Sequence, residues 1–216
     1  MKILSATGGL AGTNCFLVAD EAAKVAVLID APDHTVGPLL EQAKEAGWDV
    51  QALWMTHGHW DHLADHSEVS AAFPGAAKLI HKLDEAKLNS PGSAIFKLPF
   101  TLPPGKATGY LADGDELAVG SLRARVMFTP GHCPGHVCFY FQEQKVLVGG
   151  DLIIGGAVGR TDLPGCSVTD LMESVKAVMK LPDDTTLLPG HGEVSTVGDE
   201  RANNAYVRRI LAGRSI

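Results

Sequence analysis

Four side chains able to bind a metal ion stand within six residues of one another, in Thr56-His57-Gly58-His59-Trp60-Asp61-His62. Neutral imidazole is a good ligand for zinc and iron, and carboxylate adds a hard oxygen with negative charge. Gly58 lets the chain turn tightly between two of these ligands. Three more ligand-type residues share one pattern, an apolar strand followed by a glycine-containing turn and a single donor. Leu122 to Phe128 runs into Thr129-Pro130-Gly131-His132, Lys145 to Val148 into Gly149-Gly150-Asp151, and Thr185 to Leu188 into Pro189-Gly190-His191. The candidate set is therefore His57, His59, Asp61, His62, His132, Asp151 and His191. Five histidines and two carboxylates exceed the needs of one four-coordinate ion. They match two divalent ions sharing a carboxylate, with an open position for water. Two close cations lower the pKa of a water between them and clamp a developing oxyanion, so hydrolysis of an ester-like bond is the expected reaction. No serine or cysteine nucleophile is required, and Cys133 beside His132 reads as a packed side chain.

These strand ends must be gathered by a fold of limited size. The chain has 216 residues, enough for one sizeable core. Its 45% hydrophobic and 20% charged residues suit a globular protein and exclude a disordered one. The 24 glycines and 12 prolines indicate short elements with many turns rather than a helical bundle. A net charge of −7 disfavours a nucleic-acid partner. Cys15, Cys133, Cys138 and Cys166 form no CxxC pair, which points to a reducing compartment. The N-terminus lacks an apolar signal-peptide core and no run is long enough to span a membrane, so a cytoplasmic location is expected.

Asn14–Ala19 and Lys24–Ile29 read as a hairpin, and Val50–Met55 as a buried strand. The period changes over Thr35 to Ala46, where Val36, Leu39, Leu40 and Ala43 predict a helix capped by Asp33 or Thr35. Further helices are expected over Leu63–Phe73, Leu83–Leu88 and Asp199–Leu211, with a short strand at Lys78–His81. Another helix carries the stripe Val168, Leu171, Met172, Val175, Val178 and Met179, capped by Ser167 with Asp170. Strands are expected at Leu122–Phe128, Val137–Phe141, Lys145–Val148 and Thr185–Leu188. The stretch Asn89 to Gly109, with Ile95, Phe96, Leu98 and Phe100, reads either as a lid or binding loop or as chain tucked into the core. His34 and His81 read as surface or strand-end residues. His66 would cover the flank of the site, and His136 would be either ordinary or a support for a ligand. Periodicity alone leaves open two sheets sandwiched by helices or one mixed sheet.

The set HxHxDH followed by His, Asp and His at these separations resembles the metallo-β-lactamase superfamily over nearly the whole chain. That resemblance implies an α/β fold, an αββα sandwich of two mixed sheets flanked by helices, as a single domain over residues 1–216. It implies one metal on His57, His59 and His132, a second on Asp61, His62 and His191, and Asp151 between them. The metals would be two divalent ions, zinc and/or iron, with manganese possible. Asp61 would also be catalytic, orienting the attacking hydroxide. Where lactam-hydrolysing members often have cysteine, this chain has Asp151.

Gly159-Arg160-Thr161-Asp162-Leu163-Pro164-Gly165 and Pro189-Gly190-His191-Gly192 are similar to the short glyoxalase II-like group, related to hydroxyacylglutathione hydrolases. That likeness implies a small-molecule substrate, a glutathione thioester such as S-lactoylglutathione. Arg160 would contact the glutathione; its other reading is a structural arginine paired with Asp162. Two features depart from the group. Only 25 residues follow His191, room for one helix and not for the added C-terminal helical domain of full-length glyoxalase II. Glu193 also stands where a tyrosine is expected. The GRTD stretch also resembles persulfide dioxygenases, a family that Pro189-Gly190-His191-Gly192 fits less well and that would place one iron on His57, His132 and Asp151 and act on glutathione persulfide. A hydrolase of another ester or a lactone is the remaining alternative.

Overall fold

The computed structural model describes residues 1–95 and 97–216. The first sheet contains β1 (Lys2–Gly8), β2 (Thr13–Asp20) and β3 (Val25–Ile29). Helix α1 (Gly37–Glu45) leads to β4 (Asp49–Trp54). Helices α2 (Trp60–Leu63) and α3 (His66–Ala72) precede β5 (Ala77–His81). A 3-10 turn at Lys82–Asp84 and helix α4 (Glu85–Asn89) lead towards β6 (Gly109–Leu111). The six strands lie in sequential order, antiparallel from β1 to β3 and parallel from β3 to β6.

The second sheet contains β7 (Glu116–Val119), β8 (Leu122–Phe128), β9 (Val137–Phe141) and β10 (Val146–Gly150). A small hairpin of β11 (Ile153–Ile154) and β12 (Ala157–Val158) precedes α5 (Val168–Val178). Strands β13 (Thr186–Pro189) and β14 (Ser195–Thr196) return to the sheet, and α6 (Val197–Asn203) and α7 (Ala205–Leu211) follow. The order is β14-β13-β10-β9-β8-β7. β8 and β10 are both antiparallel to β9, and β13 is parallel to β10. The C-terminal ends of β8, β10 and β13 therefore share one edge.

The run Cys15–Ala19 of β2 and the whole of β3 are apolar because both of their faces are buried. Cys15, Leu17, Ala26 and Leu28 pack with Leu39, Leu40 and Ala43 of α1. The alternate residues Phe16, Val18, Val27 and Ile29 meet Val126, Phe139, Phe141 and Val148 of the second sheet. On that sheet's far face, Cys138, Tyr140, Leu147 and Leu187 pack on α5 and α7. The architecture is helices, sheet, sheet, helices. Among the described residues, no helix is long and apolar enough to cross a membrane, and all four cysteines are free.

Local chemistry departs from the sequence expectations at several points. β1, β6 and β7 were not legible as strands. Helix α1 has no side-chain cap at Val36. The Asp65 carboxylate, remote in sequence, instead accepts the amides of His34, Thr35 and Val36. The helix expected over Leu63–Phe73 is two helices, because the chain between them pairs with Ala31 through Ala31 N to His62 O and Asp65 N to Ala31 O. The Asp199–Leu211 helix is likewise divided at Asn204, whose side chain caps the second half by accepting from Tyr206 and Val207. Ser167 caps α5 as expected.

Two predictions concern the join between the sheets. Trp54 is 2% exposed, with its ring 5.2 Å from Phe139 across the sandwich. Trp54→Ala should cost about 3–5 kcal/mol in denaturant unfolding, the usual range for truncating a large buried aromatic. Asp20, at the end of β2, accepts Ser121 N and Ser121 Oγ, both at 2.7 Å, from the β7–β8 turn. The Ser121 hydroxyl and amide, then the Ala23 and Ala22 amides, hold its carboxyl far below the usual range. A depressed native pKa contributes stability above the unfolded value that is lost as pH falls through the folded value. Wild type should therefore exceed Asp20→Asn in unfolding midpoint at pH 7, and the gap should narrow below about pH 4.

Candidate metal centre

The seven side chains singled out in the sequence meet at one edge of the sandwich. His57 and His59 lie on the loop after β4, and Asp61 and His62 on α2. His132 follows β8, Asp151 follows β10, and His191 follows β13. Their donor atoms fall into overlapping groups within 4.8 Å: His57, His59 and His132 with Cys133; His57, His62 and Asp151; and Asp61, His62 and His191. Asp151 stands at the middle. Its Oδ1 is 3.3 Å from His62 Nε2, and its Oδ2 is 3.4 Å from both His132 Nε2 and His191 Nε2. Asp61 Oδ2 is 3.4 Å from His191 Nε2 and 3.5 Å from His62 Nε2. His132 Nε2 and His59 Nδ1 are 2.9 Å apart.

Supporting residues decide which way each ring presents its lone pair. Asp30 Oδ2 accepts from His62 Nδ1 at 2.8 Å, and both Asp30 oxygens accept from Thr56, Oδ1 from its amide and Oδ2 from its hydroxyl. The Thr56 hydroxyl is thereby spent as a donor, so it accepts from His57 Nδ1 at 3.0 Å. His132 Nδ1 donates to the Arg160 carbonyl at 2.9 Å. Neutral His57, His62 and His132 therefore turn bare Nε2 atoms inward, as metal-binding imidazoles held by an outer partner do. His57 Nε2, His62 Nε2 and Asp151 Oδ1 are buried without a hydrogen-bond partner. Bare nitrogens and carboxylate oxygens converging in a buried space are short of positive charge, and divalent cations fit that need.

Protons answer the same need when they are the only cations at hand. Burial alone would lower His62, but Asp151, Asp61 and Asp30 hold it well above the usual imidazole range. Burial also works against His191, yet its hydrogen bonds to Asp151 and Asp61 push it up to about 10. His57 has no carboxylate so close; burial and the neighbouring His62 and His59 hold it well below that range.

Several positioning residues carried no signal in the sequence. Thr13 Oγ1 donates to Asp61 Oδ2 at 2.8 Å. Asn14 Nδ2 donates to the carbonyls of Pro189 and Gly192, which bracket His191. Asp30 is the third. His136 is tied to Asp151: Thr129 Oγ1 lies 2.9 Å from its Nδ1, and its Nε2 accepts the Asp151 amide at 3.1 Å. His66 is buried and donates to the Pro103 carbonyl, and it does not line the cavity that opens onto the centre. Cys133 is buried with its thiol pKa pushed up by burial, which fits packing rather than nucleophilic attack.

A cavity of about 350 Å³ opens onto the centre. Ser90, Gly92, Ser93, Ala94 and Ile95 form one wall, and Arg160, Leu163 and Pro164 another. Of the two readings of the Asn89–Gly109 stretch, only the lining of the cavity is seen; Ile95 is 55% exposed and Leu98 and Phe100 are half-buried, so these side chains are not tucked into the core. Its first part lines the cavity, while Phe100 packs on Trp60 and Gly105 N bonds Leu88 O; Phe96 lies outside the described residues. Arg160 lines the cavity, and its guanidinium is paired in two-point contact with Asp162, the pairing expected of its structural reading.

The family model for the metallo-β-lactamase superfamily matches residues 8–191. The chain belongs to that superfamily. An uncharacterized protein of Aquifex aeolicus is 35% identical, covering 95% of this chain and 96% of its own length. Hydroxyacylglutathione hydrolase GloC of Haemophilus influenzae is 29% identical, covering 90% and 92%. Among solved structures, the BLEG-1 B3 metallo-β-lactamase superposes with a TM-score of 0.87 at 28% identity, covering 95% of this chain and 99% of that one. ETHE1 from Myxococcus xanthus gives 0.79 at 25%, covering 96% and 84%. TTHA1623 in a di-iron-bound form gives 0.77 at 32%, covering 94% and 99%. The sandwich expected from the superfamily motif is the fold observed, and the chain carries the hydrolase superfamily's cluster of histidines and aspartates at the usual edge.

Gly190 makes the centre testable by a single methyl. A Cβ there would fall against Asp151 Oδ1 and His62 Cε1. Gly190→Ala should keep the circular dichroism spectrum of the fold but weaken divalent-metal binding by roughly 10-fold or more in a chelator competition, the scale seen when ligand orientation is disturbed.

Proposed function

We propose that this protein is a two-metal thioesterase acting on glutathione thioesters of the S-lactoylglutathione type. His57, His59 and His132 would hold one ion, Asp61, His62 and His191 the other, and Asp151 would join them. The observation that carries this reading is Asp151, whose Oδ2 lies 3.4 Å from both His132 Nε2 of one set and His191 Nε2 of the other, and whose Oδ1 lies 3.3 Å from His62 Nε2. Zinc or iron suits the mixed imidazole and carboxylate donors, and manganese is within their range. When bound, the pair of cations supplies Lewis acidity and brings water close to ionisation at neutral pH.

The chain's own residues supply the rest. Thr13 fixes Asp61 Oδ2, leaving this carboxylate at the cavity as the group that would orient the attacking water and take its proton as hydroxide forms. A thiolate departs without an obligatory general acid, which matches a centre whose imidazoles are committed to outer partners or carboxylates. Lys87 and Arg160 place two cationic side chains along the cavity, suited to the carboxylates of a glutathione moiety. Trp60, Ile95, Leu163 and Pro164 offer apolar surface to the rest of the substrate. The GloC relative, named a hydroxyacylglutathione hydrolase, supports the same substrate class.

A second reading is an iron-dependent persulfide dioxygenase using His57, His132 and Asp151 alone. The contact of His132 with Asp151 and the likeness to ETHE1 sit equally well with it. The two readings separate by assay. The thioesterase should bind about two metals per chain, hydrolyse S-lactoylglutathione, and lose at least about 10²-fold in kcat/KM in Asp61→Ala, the scale of losing a positioned acid–base group. Oxygen uptake with glutathione persulfide by iron-loaded protein, with no thioester turnover, would replace it with the second reading.

A further inference from the structure

Asp84 belongs to neither group of donors, yet it touches both sides of the first. It ends the 3-10 turn after β5, and its side chain is fully buried. Its Oδ2 accepts Gly58 N at 2.8 Å, and its Oδ1 accepts Gly135 N at 3.1 Å. Gly58 lies between His57 and His59 on the loop from the first sheet. Gly135 follows His132 by three residues on the loop from the second. One carboxylate therefore spans the two loops that present these three imidazoles. The approach is too close for side chains: a Cβ on Gly58 would fall against Lys87 and Asp84, and one on Gly135 against Asp84.

The charge of this carboxylate is met by Lys87, one helical turn further on. Lys87 Nζ lies 3.4 Å from Asp84 Oδ1 and 2.8 Å from Cys133 Sγ. Cys133 Sγ in turn lies 3.3 Å from His59 Nε2, the nitrogen on the far side of the ring from His132. The contacts run without a break from Asp84 through Lys87 and Cys133 to His59. Hydrogen bonds to an ionised acceptor are stronger and shorter than neutral ones, so a buried carboxylate holding two amides fixes their separation more tightly than a neutral group would.

We infer that Asp84 and Lys87 are positioning residues that set the spacing of the two ligand loops and, through Cys133, the orientation of His59. The inference rests on the metal-centre reading above. It assigns work to residues that would bind neither metal nor the reacting bond.

The experiment uses cobalt(II) as probe, with affinity read by competition against a chromophoric chelator and geometry by the visible absorption of the bound ion. Asp84→Asn can accept only one of the two amides and leaves Lys87 without a counter-charge. It should weaken the tighter-changing of the two cobalt sites by roughly 10–100-fold, as loss of an outer partner does, and shift the cobalt spectrum. Lys87→Met changes a partly exposed side chain and keeps the protein folded; it should move affinity and spectrum in the same direction by less. The double variant should lose less than the product of the two single effects, because the residues act as one unit. A brace of the fold alone would lower the melting temperature of the metal-free protein while leaving cobalt affinity and spectrum as in wild type, and that result overturns the inference. Multiplicative losses in the double variant overturn the unit. Wild type that takes up no cobalt would overturn the metal-centre reading itself, whereas two ions bound alike by wild type and both single variants would remove only the role of Asp84 and Lys87.

Discussion

Everything at the active edge depends on keeping two carboxylates, Asp61 and Asp151, among imidazole nitrogens in a space largely closed to water. Asp151 is 6% exposed and Asp61 7% exposed. Placing such charges out of water is unfavourable unless positive charge meets them. The protein meets it with lone pairs arranged for cations and, failing those, with protons on His62 and His191. The backbone around Asp151 shows what this arrangement demands. Gly150 adopts a left-handed φ of 48° at the end of β10, turning the next side chain into the cluster. Gly190, directly after the parallel neighbour β13, has no side chain where one would strike Asp151. Two short glycine turns in register thus bring a carboxylate and a histidine to the same point.

A single sheet could not build this centre. His57, His59, Asp61 and His62 come from the first sheet's side, and His132, Asp151 and His191 from the second. Their relative position is therefore set by how the sheets pack, through the Trp54, Phe139 and Phe141 contacts and the shared aliphatic layer. Close-packed interiors transmit displacement rather than absorb it. Direct ties across the gap supplement that packing. Thr13 and Asn14 of the first sheet hold Asp61 and the turn around His191, and the Val137 amide donates to the Thr56 carbonyl. His132, Asp151 and His191 follow strand ends, whereas His57 and His59 stand on the loop after β4 and Asp61 and His62 on α2.

The seven candidate donors that meet at this edge were legible in the sequence because histidine and aspartate after apolar strands and glycine turns are few, local and chemically distinctive. The hairpin of β2 and β3, α5 with its Ser167 cap, and β8, β9 and β10 were legible for a related reason, since apolar periodicity reports burial directly. What failed to show was long-range. Asp65 caps α1 from about thirty residues away, and nothing local to Val36 signals it. Asp30 and Asp84 look like ordinary turn aspartates until the fold brings Thr56, His62, Gly58 and Gly135 to them. The edge strands β1, β6 and β7 carry too little buried surface to leave an alternating pattern, as the partly exposed residues of β1 illustrate.

The same logic bears on the substrate. The cluster of histidines and aspartates at the cavity is of the kind expected across a broad superfamily, so it cannot by itself select one molecule. Selection falls to the walls, which come from the two least regular stretches, the run after α4 and the Arg160–Pro164 segment. Arg160 sits between these roles. Its carbonyl fixes the His132 tautomer, while its guanidinium stands in the cavity beside Asp162. A substrate carboxylate approaching Arg160 must compete with Asp162 for that guanidinium. Because the pair is largely exposed, its mutual attraction is weak, and exchange of one carboxylate for another is favourable wherever the rest of the substrate is held by the apolar wall. A change of substrate within this fold can then proceed through the side chains around Arg160 and Ile95 without disturbing the carboxylates on which the centre depends.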